Sequence, residues 1–277
     1  MVNIAFYVYL LKDFSIRTLA FTNLFVFVTG FSIMIILKEL NIISIHEEVL
    51  YLTGKGAAHT YGFANPNGFG GFVFAVIVNI YILISGLKRN FFLVLLLLLI
   101  AVISYNYCLA RTSLIGSLVL VLTHFAVKLK LIRRWMRYGL AILPVIFFVL
   151  MLYFTFFLSD YMYIDIIASG RLTIYSEILG MMTKLNWLIG IPLPDGPMDG
   201  SLWMLLFTGG IGYLSFFFIS YYKSVVNCFE EIYPYFPVLL AILIGGLVEN
   251  IFSGVSGISV IFWLLACRYY TEKRLTE

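Results

Sequence analysis

From Phe91 to Ile103 the chain runs through thirteen apolar residues in succession, with no charge, no polar side chain and no alternation. Comparable runs recur along the whole length. Backbone N–H and C=O groups held in hydrocarbon must be paired within the protein, so a chain of this kind has two solutions, helices or a closed barrel. A barrel strand alternates apolar and polar residues over about ten positions. The 91–103 run does not alternate, so the chain is read as helical.

A water-soluble fold is excluded by what remains for its surface. Hydrophobic residues make up 62% of the 277 positions and charged residues 12%, against about 25% in an ordinary soluble protein. The mean hydropathy is +1.01. We therefore expect an all-α polytopic membrane protein forming a single integral membrane domain over 1–277. A spanning helix needs about 20 mostly apolar residues. Eight segments qualify, at 17–38, 67–87, 91–110, 112–127, 138–159, 202–222, 232–250 and 251–270, the last two joined by a tight turn at Glu249 and Asn250. Residues 1–11 are apolar but too short to span. Lys12, Asp13 and Arg17 in the first apolar stretch, with no small-residue cleavage site after it, argue against a cleaved signal peptide.

The net charge of +4 reads as topology and not as nucleic-acid binding. With the N-terminus inside, 13 of the 18 Lys and Arg residues fall on inner segments, so both termini are expected in the cytoplasm. The cluster at 128–137 is the main anchor. Two outer loops are long, about 39–66 and 160–201. The second carries Ile178, Leu179, Trp187, Leu188 and Ile189, so it is expected to hold a short interfacial helix near 171–184, followed by a turning Gly/Pro segment from Ile189 to Pro197. Cys108, Cys228 and Cys267 form no CxxC pair and read as apolar filler.

The polar motifs gather on the expected outer side. Nine of the 14 acidic residues lie there, which bears on chemistry more than on topology. The first motif runs from His59 to Gly71 and contains Asn65-Pro-Asn67-Gly, a turn in which Asn67 is a candidate helix cap. Its glycines follow no strand and precede no Gly-Lys-Ser/Thr, so they make no phosphate loop. Arg111, in a link too short to leave the membrane surface, is either a snorkelling anchor or a functional cation. Arg171 opens the expected interfacial helix after Ser169-Gly170. Asp195 and Asp199 precede the sixth span. Arginine forks suit phosphate oxygens, and a carboxylate or histidine suits a general base. The set fits a lipid-linked phosphate or diphosphate carrying a polar group. His46, His59 and His124 lack ligand spacing, so no metal and no cofactor are expected.

In order and spacing these motifs resemble those of bacterial polysaccharide polymerases of the Wzy type, in the O-antigen polymerase and ligase superfamily. Tyr61-Gly-Phe-Ala-Asn-Pro-Asn-Gly-Phe-Gly70 resembles the family's GF-x-HPN motif, and Ala110-Arg-Thr-Ser113 its S-R-T/S. Ser169-Gly-Arg-Leu172 is similar to SGR, Leu188-Ile-Gly190 to LFG, and Asp199-Gly-Ser-Leu202 to D-N-S-Y. Asn65 stands where the family has His, His59 is the nearest basic residue upstream, and Gly200 replaces an Asn. The family usually has more helices before the first motif, so the resemblance implies a member shortened at the N-terminus.

The resemblance implies a glycosyltransferase of the bacterial cytoplasmic membrane. It would polymerise undecaprenyl diphosphate-linked oligosaccharide repeat units at the outer face, with no nucleotide, alongside a flippase and a chain-length regulator. Arg111 and Arg171 would hold the diphosphate and Asp199 would activate the acceptor hydroxyl, with His59 and Glu177 as weaker base candidates. His59, Asn65, Asn67, Glu177 and Asp195 would contact substrate. Competing expectations are a ligase of the same superfamily and a polysaccharide flippase or transporter.

Overall fold

A computed structural model describes residues 8–43, 48–51, 56–63, 66–87, 90–128, 133–160, 162–168, 170–192, 199–252 and 257–272. Among the described residues six helices are long and apolar enough to cross a membrane: Ile16–Glu39, Pro66–Ile84, Phe91–Cys108, Trp135–Phe156, Ser201–Asn227 and Phe229–Leu247. Large apolar side chains face outward on these helices, Phe92 at 80% exposure and Phe21 and Phe25 at 63% each. Contiguous apolar surface of this kind is not sustained in water. The chain is a mostly helical, multi-pass membrane protein. It divides into two compact units, one of 11–129 with 233–245, the other of 1–10, 130–232 and 246–277.

The unit built on 11–129 contains α1 (Ile16–Glu39), a hairpin of β1 (Glu48–Tyr51) and β2 (Gly56–His59), α2 (Pro66–Ile84), α3 (Phe91–Cys108) and α4 (Arg111–Val127). Ser15 caps α1 by accepting the Thr18 N–H at 3.0 Å. The antiparallel hairpin, with Glu48 opposite His59 and Tyr51 opposite Gly56, was not expected within the 39–66 loop. The link between α3 and α4 is two residues long because Leu109 takes a left-handed conformation, φ 54°, and reverses the chain. Pro66 opens α2, a position where its missing N–H costs nothing. Asn67 therefore lies inside the first turn of α2 and does not cap it. Between α2 and α4, Tyr81 Oη and His124 Nδ1 hydrogen-bond at 2.9 Å, and Gly116 lets the ring of Phe74 approach. Small residues at such crossings bring membrane helices close.

The second unit contains α5 (Arg133–Phe156), α6 (Met162–Ile167), α7 (Arg171–Met181), α8 (Lys184–Ile189), α9 (Ser201–Asn227), α10 (Phe229–Ile232), α11 (Phe236–Val248, shared between units), α12 (Gly257–Ala266) and α13 (Arg268–Glu272). The helix expected near 171–184 is thus present as α7, with α8 after it. Two of the expected spans are apolar helices not among the six long ones, α4 at 17 residues and α12 at 10. In the segment expected at 251–270, Ile251 and Phe252 are not helical because their backbone groups are taken. Ile251 N and Phe252 N donate to Ser201 Oγ at 2.8 and 3.0 Å, and Phe252 O accepts from Trp263 Nε1 at 2.8 Å.

Helix α9 is interrupted at Gly210 (φ 65°, ψ −170°). The chain after α8 fills the interruption: Ile191 N donates to Phe207 O at 2.6 Å, and Gly190 (φ 86°) lies on the backbone of Phe207 to Gly209. The two ends of α9 differ in charge. Around its C-terminal end sit Arg137, bonded to Val226 O, Lys223 over the Tyr269 ring, and Arg268 paired with Glu231 at 2.8 Å. Asp199 and its partners lie at the N-terminal end. The 27 residues of α9, broken at Gly210, separate these ends by up to about 40 Å.

Candidate functional site

Three segments far apart in sequence meet at the N-terminal end of α9. The Arg171 guanidinium donates from Nε (3.1 Å) and Nη2 (2.8 Å) to Asp199 Oδ2, and from Nη2 to Glu249 Oε1 at 3.4 Å. Its Nη1 donates to Ala168 O at 3.4 Å. One cation therefore serves two carboxylates, and the trio carries a formal charge of −1. The side chains are partly sheltered, with Arg171 15%, Glu249 26% and Asp199 32% exposed. The two Arg bonds fall on one oxygen of Asp199. Its other oxygen, Oδ1, has no partner among the described residues.

The local structure explains why these groups stay in place. Asp165 caps α7 by accepting from Leu172 N at 2.8 Å and from Thr173 Oγ1 at 2.5 Å. This fixes Arg171 as the first residue of α7. One turn later Tyr175 donates from Oη to Asp199 O at 2.5 Å. Burial raises the Tyr175 pKa. Arg171 lowers it, and Asp199 and Glu249 raise it further. Tyr175 therefore holds its proton and acts as a donor, not as a base. Its ring stacks on Trp203 at 4.8 Å, which stacks on Phe207 at 5.3 Å, so the base of the site is rigid. Gly200 (φ 86°) has no room for a Cβ between Tyr175 Oη and Leu247 O. Ser201 Oγ donates to Glu249 O at 2.9 Å and accepts the two amides of 251 and 252, tying the Glu249 turn to the start of α9.

The unit built on 11–129 has its own group at the start of α4. Gly70 packs against Ala110, with the position of a Cβ already taken by the Ala110 side chain and Ser113 Oγ 3.1 Å away. Thus the first two motifs, far apart in sequence, meet here. Arg111 is the first residue of α4 and is exposed. A cation at a helix N-terminus opposes the macrodipole, and no ion pair offsets it among the described residues. Half-buried His59 faces Tyr61 and Tyr107, with ring centroids 5.5 and 6.1 Å away, and Tyr61 packs on Phe69 at 4.5 Å. Tyr61 has φ 48°, an unfavourable conformation for an aromatic residue, and burial followed by Tyr107 and Cys108 raises its pKa.

Of the residues singled out from sequence, Arg171 and Asp199 are in direct contact. Arg111 and His59 belong to the other unit. Glu177 is exposed on α7 and takes no part in the Arg171 centre, because six residues along a helix turn a side chain about 240° away from Arg171. Asn67 is exposed on the first turn of α2. Asn65 and Asp195 lie outside the described residues. Sequence reasoning did not assign Tyr175, Asp165, Ser201 or Glu249 to the site. Tyr175 was within reach of it, four residues after Arg171 and so on the same helix face. No family model, curated protein or solved structure matches this chain.

Proposed function

We propose that the chain is a membrane glycosyltransferase that polymerises undecaprenyl diphosphate-linked oligosaccharide repeat units at the outer face of the bacterial cytoplasmic membrane. The observation that carries this reading is the state of Asp199. One carboxylate oxygen is fixed by Arg171 and the other has no partner among the described residues, on a side chain one-third exposed at an end of a membrane helix. That is the arrangement a general base needs. The acceptor sugar hydroxyl attacks the anomeric carbon of the donor. Its proton passes to Asp199 Oδ1, the anomeric C–O bond breaks, and undecaprenyl diphosphate leaves with the electron pair. Diphosphate is a good leaving group, so the step requires no nucleotide. Arg171, which the resemblance puts on the diphosphate, is bound to two carboxylates and orients the base instead; Arg111 is assigned to carrier phosphate from the resemblance alone, within its own unit. The positive-inside rule supports the orientation, since Arg137, Lys223 and Arg268 stand at the opposite end of α9 from Asp199.

Deletion of the gene is expected to leave single repeat units on the lipid carrier and no long polymer, with this 277-residue chain restoring the ladder. Long polymer accumulating on the carrier would instead indicate a ligase, and repeat units trapped on the inner leaflet a flippase. An unchanged polymer ladder removes the reading altogether. In the complemented strain, Arg111→Ala is expected to lower polymer synthesis by about 10²–10³-fold while membrane levels hold, the scale of losing one preorganised charge contact. Wild-type polymer from this variant would end the assignment of Arg111.

A further inference from the structure

The centre in the second unit holds more negative charge than a base and its orienting cation require. Asp199 and Arg171 alone form a neutral pair. Glu249 adds a second carboxylate on the same guanidinium nitrogen, Nη2, which Asp199 Oδ2 already occupies at 2.8 Å. This carboxylate is not there by accident of a flexible side chain. Its backbone is pinned to the start of α9 through Ser201 Oγ, which accepts both Ile251 N and Phe252 N and donates to Glu249 O. Gly246 adds to this by leaving room for Phe252 beside Ser201, where a Cβ would come within 2.7 Å of the Phe252 ring. The clamp sets the reach of Glu249 to Arg171.

We propose that Glu249 is a positioning residue for Asp199. By drawing on the Arg171 guanidinium it fixes that group in the rotamer that grips only Oδ2 of Asp199, leaving Oδ1 turned out to a hydroxyl. Its extra charge also makes the centre repel phosphate and favour a neutral polyol that gives up a proton. The ligand class at this centre is thus the acceptor saccharide, and the anionic carrier is excluded from it. A guanidinium shared between two carboxylates has no free edge on which a phosphate could sit in bidentate fashion. This inference rests on the polymerase reading, which assigns the proton transfer to Asp199.

The test uses the full chain in lipid nanodiscs with a lipid-linked repeat unit as substrate. Glu249→Gln is expected to lower kcat about tenfold with little change in the acceptor KM, a coupling of ordinary size for residues sharing one ionic network. Glu249→Asp, which keeps the charge, is expected to recover most of that loss. In an Asp199→Asn background the Glu249→Gln change should alter the residual rate by less than about twofold, because a residue that acts through Asp199 has nothing left to act on. A separate readout needs no activity. An arginine-selective dicarbonyl should modify Arg171 several-fold faster in Glu249→Gln than in wild type, as seen by peptide mass spectrometry. Equal kcat in Glu249→Gln and wild type, an equal tenfold loss in the Asp199→Asn background, or unchanged Arg171 reactivity would each overturn the proposal. If wild type makes no polymer while Arg171 is protected by Glu249, the polymerase reading falls and the positioning of Arg171 stands.

Discussion

Asp199→Asn is expected to abolish visible polymer, with a rate loss of about 10²–10⁴-fold, the usual contribution of a positioned general base. The amide has the shape of the carboxylate and can still accept from Arg171, and Tyr175 still donates to the backbone carbonyl of residue 199. What it lacks is the capacity to take a proton. The loss should therefore appear without collapse of the protein. Arg171 keeps Glu249 as a partner, and an ion pair of this partial exposure contributes only about 1 kcal/mol. The measurement is the glycan ladder from a deletion strain carrying the variant, with membrane levels followed by immunoblot. A normal ladder from Asp199→Asn would refute the assignment of the base. A vanished protein band would show that residue 199 is needed for the fold.

Gly210→Ala should damage the fold itself. The backbone at Gly210 lies in a region of φ/ψ that only glycine occupies comfortably, and a Cβ there would overlap Leu188 O and come within 2.7 Å of Ile189 N. Both obstacles are backbone atoms, so no side-chain rotation relieves them. Strain and clash together amount to about 3 kcal/mol or more. We expect the detergent-solubilised protein to lose about 10 °C in apparent Tm, with lower membrane levels. Gly30→Ala is the matched control. Gly30 sits within α1 with open space where a Cβ would stand, and alanine favours helix by about 1 kcal/mol over glycine. Equal damage from both changes would remove the special role given to Gly210.

The long helices were legible in the sequence because their signal is compositional. A run such as 91–103 has no other stable form in a bilayer, and Phe91–Cys108 forms as expected. The helix from Arg171 was legible from the apolar residues of its loop. The hairpin at 48–59 was not, because its few residues carry no marked alternation and its pairing depends on surroundings. The break in α9 was hidden as well. Gly209-Gly210 looks like any small-residue pair in a membrane helix, and what sets its geometry is Leu188 to Ile191, which arrives from outside the helix. At the candidate site, motif order pointed to Arg171 and Asp199, which the fold brings into contact, and could not supply Glu249, which reaches Arg171 only because Ser201 folds the 249–252 turn back onto α9. Glu177 shows the converse: a carboxylate on the expected outer side, it was a weaker base candidate, and helical rotation turns it away from Arg171.

The seat for Gly190 and Ile191 is made of Phe207 to Gly210, residues that leave the ribosome after them. When 184–191 emerges, the surface it fits does not yet exist. It must wait, unpartnered, until α9 has been threaded into the bilayer, and only then can it dock against the broken helix. Biogenesis of this unit is thus ordered against the direction of synthesis at this point. The apolar side chains of Leu185, Leu188 and Ile189, each at least 60% exposed in the finished protein, give the waiting segment a reason to linger in the lipid headgroup layer, within reach of the partner still to come.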